Sequence, residues 1–269
     1  MTRRKAGYGV ASGSGSGRHS REDVRASGGI RIESATIRIL RTEFGRFPHI
    51  LPLNPELRPG SSSLRVTLEV EWAPPDALPL LGRYQQELAR VLPALDQHRC
   101  RGPAHYHFAR IDGNGAGTGR SNGVEPALAL VHLAEHLAID VIAYVTGLDS
   151  VSGVTAAMAA SRTRFELFVE CPRSALAPLA VYQAFSWIAA LLRGDPLAVL
   201  EKEMLFLGRA LYRHDATPLE VARLASEAGV PEPRVLDALG RLVSLGVACR
   251  LSGAAGSAAP SEARYVLCG

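Results

Sequence analysis

The stretch VEPALALVHLAEHLAIDVIAYVTG, residues 124–147, decides our interpretation of the fold. It has the length and the apolar content of one buried helix, with Pro126 in its first turn and a glycine at its end. His132, Glu135 and His136 follow the order H-x-x-E-H within it. Because a helix turns once every 3.6 residues, these three side chains share one face. The sequence therefore predicts a buried helix with a His-Glu-His cluster on one side.

This cluster predicts a metal site. Two neutral imidazoles four residues apart on a helix are a common half of a zinc site, and a carboxylate beside them can serve as a base for water. The order H-x-x-E-H is the inverse of the zinc-peptidase motif H-E-x-x-H. We therefore predict that His132 and His136 bind Zn²⁺ or another divalent metal and that Glu135 is the catalytic base. The alternative is a pair of histidines that only form hydrogen bonds in a buried helix.

An acidic strand downstream offers a third ligand. Residues 162–171 alternate as a strand and place Glu166 and Glu170 on one face. We predict Glu170 as the third metal ligand, with Glu166 as the alternative or as a supporting carboxylate, which leaves one position open for water. The same two acids would also suit a solvated strand face. Asp140 stands one turn beyond His136, where we expect it to orient that histidine.

A second histidine pair precedes the helix. His105 and His107 share one face of a predicted short strand and are a rival metal pair. Without a neighbouring carboxylate, such histidines are more often ordinary surface residues. The glycine-rich residues 112–123 that follow lack the Lys-Ser/Thr of a P-loop. We therefore interpret them as a mobile loop at the mouth of a site rather than as a phosphate-binding loop.

Periodicity on either side of the helix predicts an α+β fold in which a mixed sheet packs with helices. The predicted strands lie at residues 34–42, 64–72, 105–110 and 162–171, and the other predicted helices at 76–92 and 174–192. Residues 1–31, basic and rich in Gly and Ser, are expected to be a disordered tail. We assign residues 32–196 to the α+β domain, because the sequence Arg-Gly-Asp-Pro at 193–196 is a natural boundary.

Residues 197–269 predict a second, small domain. A helix, a helix-turn-helix and a β-hairpin follow one another there, which is the order of a winged helix. Acidic and basic groups balance in this region, and the predicted recognition helix at 232–245 carries both signs, whereas a DNA reader usually shows a basic stripe. We therefore favour a protein partner or a homodimer contact for this domain over nucleic acid.

Composition narrows the class of protein further. The net charge of +4 arises within residues 1–30, so the rest of the chain is neutral and has no overall attraction for phosphates. No apolar run is long enough to span a membrane, and the first residues contain no apolar signal region, so we expect a cytoplasmic protein without a membrane partner. The cysteines include no C-x-x-C pair, which favours reduced thiols over disulfides. They are Cys100, Cys171, Cys249 and Cys268.

Taken together, these motifs resemble the N-terminal domain of cyanophycin synthetase. The resemblance covers about residues 34–195 and rests on LPALDQHRC (92–100), HLAEHLAIDV (132–141) and SRTRFELFVEC (161–171). That domain binds an Asp-Arg isopeptide polymer and in some members looks like a metallopeptidase that trims it. The resemblance implies that Arg162 and Arg164, which match the family's R-T-R element, bind substrate. The ATP-grasp and Mur-ligase portions of the synthetase have no counterpart here, and residues 111–123 and 148–161 depart from the family pattern.

The favoured function is therefore a zinc-dependent hydrolase that acts on peptide or isopeptide bonds of an Asp-Arg-like polymer or a protein. One alternative is a DNA-binding transcriptional regulator whose first domain senses a metal or a ligand. The other alternative is a non-catalytic adaptor that binds a polymer or a protein.

Overall fold

The structure is a computed structural model, and it describes ten parts of the chain. These parts are residues 22–23, 29–32, 35–72, 92, 126–158, 161–193, 195, 199–215, 217–251 and 263–269. The predicted helix at 76–92, apart from Leu92, the pair His105 and His107, the glycine-rich residues 112–123 and Cys100 lie outside the described residues.

The described elements form runs of strands and runs of helices, as is typical of an α+β fold. The strands are β1 (Glu22–Asp23), β2 (Gly29–Ile32), β3 (Ala35–Gly45), β4 (Ser63–Trp72), β5 (Gly153–Ala157), β6 (Arg164–Glu170), β7 (Leu219–Glu220), β8 (Ala248–Leu251) and β9 (Arg264–Leu267). The helices are α1 (Pro126–Thr146), α2 (Leu176–Arg193), α3 (Val199–Arg213), α4 (Val221–Ala228) and α5 (Glu232–Ser244). A short 3-10 helix, Pro48–Ile50, follows β3. The α+β class is confirmed.

The larger sheet has the strand order β1-β3-β4-β6-β5, and β2 also pairs with β3. Every pairing between described strands is antiparallel, so the expectation of a mixed sheet was wrong for this part of the chain. Two of the pairs, β3 with β4 and β5 with β6, follow each other along the chain without an intervening α-helix, and such connections favour antiparallel strands. The pairing of β1 and β2 also corrects the tail prediction at those positions.

The sheet has one apolar face and one polar face. On the apolar face, alternate residues of β4 and β6 are buried against α1, in the main core to which α2 also contributes. They are Leu64, Val66, Leu68, Val70, Phe165, Leu167 and Val169, each no more than 1% exposed. Burial of each such side chain contributes about 1.5–3 kcal/mol to folding. On the other face, Phe168 packs with Ile50 and Leu57 in a small separate cluster, and the Arg65 guanidinium lies over its ring.

Helix α1 lies where the sequence predicted it, within two residues at each end. It ends at Gly147, whose positive φ of 72° suits glycine and whose N–H donates to the carbonyl of Ala143. The helix is buried nearly all round, because it contacts β4, β5 and β6 on one side and α2 and α3 on the others. Its polar face is therefore largely enclosed by protein, except at His132.

The C-terminal elements form a three-stranded antiparallel sheet, β7-β9-β8, packed with α3, α4 and α5. Helix α4 begins at Val221 after strand β7, and Glu220 at its N-cap makes no side-chain capping bond. Helix α3 also packs against α1 and α2. A Cβ at Gly208 in α3 would lie 2.8 Å from Cδ2 of Leu179, so glycine permits the close approach of α3 to α2. The hydrophobic core is continuous across the proposed boundary at 193–196.

Two of the cysteines are joined. Cys249 in β8 and Cys268 just after β9 form a disulfide, with their Cα atoms 5.2 Å apart. The register places Cys249 opposite Val266, so Cys268 is its diagonal neighbour on the same face of the hairpin. The expectation of reduced thiols was therefore wrong for this pair. Cys171 is free and buried, and burial raises the pKa of its thiol to about 12.

Within the described residues, no helix combines the length and the apolar content that a membrane crossing requires.

Candidate active site on helix α1

The polar face of α1 is directed at the edge of the larger sheet. His132, Glu135, His136 and Ile139 stand at helical positions i, i+3, i+4 and i+7, which form one stripe. Glu135 and Ile139 both touch the start of β5, because a Cβ added to Gly153 would lie 2.8 Å from Oε1 of Glu135 and 3.0 Å from Cδ1 of Ile139. Among the described strands, β5 is the last one at this side of the sheet. The cluster therefore lies between the middle of α1 and strand β5.

The Glu135 carboxylate is buried and is held from two sides. Only 4% of the residue is exposed. The hydroxyl of Thr155 in β5 donates a hydrogen bond to Oε2, and Nδ1 of His132 lies 3.2 Å from the same oxygen. A buried carboxylate requires such polar partners, because removal from water is costly for a charged group. The structure thus fixes one oxygen of this carboxylate between a strand and the neighbouring turn of the helix.

The two histidines lie side by side. Their ring centroids are 4.4 Å apart, with an angle of 63° between the ring planes. The side chain of His132 is 21% exposed, whereas His136 is buried. The cluster is therefore more accessible at the His132 end. Asp140 is buried one turn beyond His136, as the helical spacing requires, and its orienting role stays a prediction.

The donor set fits a divalent metal in part. Two imidazoles at this separation can turn one nitrogen each towards a common ion, and imidazole nitrogen is a preferred zinc ligand. In the parts of the chain that are described, however, no group of three or more His, Cys, Asp or Glu side chains is arranged to hold a metal ion. Metal binding by His132 and His136 therefore stays a prediction, and the two residues would supply half of a ligand set.

Glu170 is not the missing ligand in this structure. Phe165, Leu167 and Val169 of β6 face α1, so by the alternation of a strand Glu170 points to the opposite side of the sheet. There its carboxylate is occupied by other donors, and only 5% of the residue is exposed. The donors are the backbone N–H of Arg58 at 2.7 Å, the Arg58 side chain at 3.4 Å, the hydroxyl of Ser61 at 3.2 Å and the backbone N–H of Ser152 at 3.3 Å. Glu170 holds the loop after β3 against the residues before β5.

Glu166 lies on the same outer face and also has a structural partner. Arg65 of β4 forms an ion pair with Glu166 and another with Glu43 at 3.0 Å. The Arg65 guanidinium lies 5.7 Å from the ring centroid of Phe168. Glu166 therefore belongs to an ion-pair network that connects β3, β4 and β6. Its side chain lies on the face of β6 that is opposite the cluster on α1.

The two predicted substrate arginines are likewise separated from the cluster. Nε of Arg164 lies 3.3 Å from Glu69 on the outer face of the sheet, and Arg162 is exposed in the turn before β6. A hydrogen bond from Arg38, with a smaller contribution from Arg164, outweighs burial and lowers the pKa of Glu69. A role of Arg162 and Arg164 in substrate binding at α1 is not supported by this placement.

The sequence interpretation missed Gly153 and Thr155. Both lie in residues 148–161, for which the sequence predicted no strand, whereas the structure contains strand β5 there. Val154 and Thr155 are β-branched, which is a strand signal, but the run is short and its other members are small. The contact of Thr155 with Glu135 depends on the pairing of β5 with β6, which no local pattern specifies.

No protein-family model matches the chain, and no curated protein matches it either. The resemblance to the N-terminal domain of cyanophycin synthetase therefore stays a prediction from its motifs.

Proposed function

We propose that the chain is a metal-dependent hydrolase of peptide or isopeptide bonds with its active site on helix α1. The observation that carries the proposal is the position of Glu135. Its ionisable carboxylate is buried, is fixed by Thr155, and lies beside two adjacent imidazoles on the same helix face. Strongly enclosed carboxylates next to potential metal ligands are typical of catalytic bases.

In this proposal, His132 and His136 hold a divalent metal, with zinc as the favoured ion. A metal bound there supplies Lewis-acid polarisation of the scissile carbonyl and raises the acidity of water. Glu135 accepts the proton of the attacking water and passes it to the leaving nitrogen. Asp140, one turn beyond His136, keeps its proposed role of orienting that histidine.

The proposal requires a further ligand that is neither Glu166 nor Glu170. Catalytic zinc usually has three protein ligands and one open position. Both strand carboxylates lie on the outer face of the sheet with arginine partners. Of the residues that the sequence predicted as metal ligands, we therefore keep only His132 and His136.

The substrate class rests on the resemblance described above. A polymer of Asp-Arg isopeptide units, or a protein, is the expected substrate. The partly exposed side of the cluster at His132 is the side from which such a chain would approach.

We also infer that residues 199–269 form a winged-helix-like module that contacts protein rather than DNA. The order α3, β7, α4, α5, β8, β9 supports the first part. For the second part, the two arginines of α5 are engaged within the molecule. Arg234 lies 2.5 Å from Glu203 of α3, and the Arg241 guanidinium lies 5.4 Å from the ring centroid of Tyr182 of α2. A protein partner or a second copy of the chain suits this module better than nucleic acid.

Hydrolysis by a Glu135→Gln variant tests the proposed chemistry. Wild type and variant are assayed against an Asp-Arg isopeptide polymer and a set of peptides, and the metal content of each sample is measured. Loss of turnover with the metal retained is the expected result, since glutamine cannot accept the proton. Glu220→Gln, which changes an exposed carboxylate far along the chain, is the control. Hydrolysis by Glu135→Gln at the wild-type rate would disprove the assignment of the base. Stoichiometric metal without turnover in wild type would favour a binding adaptor.

A further inference from the structure

We propose that Thr155 is a positioning residue, which holds the Glu135 carboxylate in the orientation that a base needs, and that Gly153 provides the space for it. This inference rests on the proposed function, because it concerns how the proposed base is held. It assigns a role to strand β5, a segment that carries none of the residues in the H-x-x-E-H motif.

The placement of the two residues follows from the strand itself. Gly153 and Thr155 are two positions apart in β5 and therefore share a face, and both contact Glu135. Val154 between them packs on the opposite face of the sheet, against the cluster that contains Phe168. The face that carries Gly153 and Thr155 is thus the face that covers α1.

The hydrogen bond from Thr155 fixes the orientation of the carboxylate. The Thr155 hydroxyl donates a hydrogen bond, which Oε2 of Glu135 accepts. Oε2 is held between Thr155 and His132, which restricts rotation of the carboxylate about its terminal bond. Thr155 acts on catalysis through Glu135 and does not need to touch substrate.

Gly153 is required by the close approach of α1 to β5. A Cβ at this position would lie 2.8 Å from Oε1 of Glu135 and 2.8 Å from the backbone oxygen of Phe168. The first atom ends a side chain and can move, but the second belongs to the paired strand β6. Any larger residue at 153 would therefore displace the carboxylate or strand β5.

The activity test compares Thr155→Val with Thr155→Ser. Valine keeps the shape of threonine but removes the donor, whereas serine keeps the hydroxyl. We expect Thr155→Val to lower kcat by about tenfold to a hundredfold with little change in KM, as for other groups that orient an active-site residue. Thr155→Ser should restore most of kcat. Thr67→Val removes a hydroxyl from the outer face of the same sheet and should leave kcat unchanged. Wild-type kcat in Thr155→Val would overturn the positioning role.

A stability cycle separates this inference from the proposed function. Unfolding by urea is measured for wild type, Thr155→Val, Glu135→Ala and the double variant. If Thr155 holds the carboxylate, valine destabilises wild type more than it destabilises Glu135→Ala, and this non-additivity is independent of any turnover. If Thr155→Val destabilises wild type and Glu135→Ala by the same amount, the inference is overturned even in an active enzyme. An inactive wild type with non-additive variants would overturn the proposed function and leave the Thr155 contact supported.

Discussion

The hydroxyl of Thr155 donates a hydrogen bond to the carboxylate of Glu135, and this bond joins strand β5 to the middle of helix α1. Residues 147–152 connect the helix to the strand. The hydrogen bond holds the polar face of the helix against the sheet. A charged group in such a position destabilises a fold unless it is well partnered. The proposed function accounts for a carboxylate at this position beside His132.

Replacement of Glu170 should affect stability and not metal binding. Its buried carboxylate accepts hydrogen bonds from the backbone N–H groups of Arg58 and Ser152. Glu170→Ala leaves these donors without their acceptor, which costs about 1–3 kcal/mol of unfolding free energy. Urea unfolding and elemental analysis of the same samples check both statements. Loss of bound metal from a folded Glu170→Ala protein would restore this residue as a ligand.

The cysteines should show a defined order of reactivity. In a Cys100→Ser background, the native protein is expected to be unreactive towards iodoacetamide at pH 8, because Cys171 is buried with a pKa of about 12 and Cys249 is bonded to Cys268. Unfolding without a reductant should expose the Cys171 thiol alone, and a reductant should then release the other two. Mass spectrometry counts the labels. Labelling of Cys249 or Cys268 in unreduced protein would contradict the disulfide.

Acid should remove a small stabilising contribution from Glu227. Burial opposes ionisation of this residue, but hydrogen bonds from Arg223 and His214 outweigh it and lower its pKa below the usual 4.5. The stabilisation is therefore complete above pH 4.5 and is lost as the pH falls through the lower pKa of the folded state. Because Glu227 and its partners are partly exposed, this stabilisation amounts to less than about 1 kcal/mol of unfolding free energy. Urea unfolding from pH 7 to pH 3 measures the free energy of unfolding of wild type and of Glu227→Gln. The difference between the two values should narrow only below pH 4.5. A constant difference down to pH 3 would be inconsistent with the lowered pKa.

The C-terminal module should not retain duplex DNA at moderate salt. Its two α5 arginines contact Glu203 and Tyr182, so a basic stripe on this helix is missing. A gel shift with random duplex, at low and at physiological salt, measures this. Salt-sensitive binding that is lost in Arg234→Ala would favour the regulator alternative.

Local patterns predicted most of the secondary structure around the site. Both ends of helix α1 were predicted to within two residues. The signals for them, which are the apolar content, Pro126 and Gly147, all lie within the segment itself. The strand that carries Glu166 and Glu170 was also predicted, together with the fact that both side chains share a face. The parts of the site that depend on one segment alone were therefore available from the sequence.

The parts that depend on pairing between segments were not available. Alternation shows that two residues share a strand face, but it does not show which face meets the helix, and Glu170 was assigned to the wrong one. Strand β5 is short and built from small residues, so its contact with Glu135 went unnoticed. Cys249 and Cys268 are 19 positions apart, and only the register of β8 and β9 brings them together.

Metal content is the most direct test of the central claim, that His132 and His136 form the metal-binding half of an active site. Wild type, His132→Ala and His136→Ala are purified without chelators, and their metal content is measured by elemental analysis alongside circular dichroism. We expect about one divalent ion per wild-type chain, with zinc favoured, and loss of that ion from both folded variants. Wild-type protein without stoichiometric metal, or variants that retain it in full, would contradict the claim.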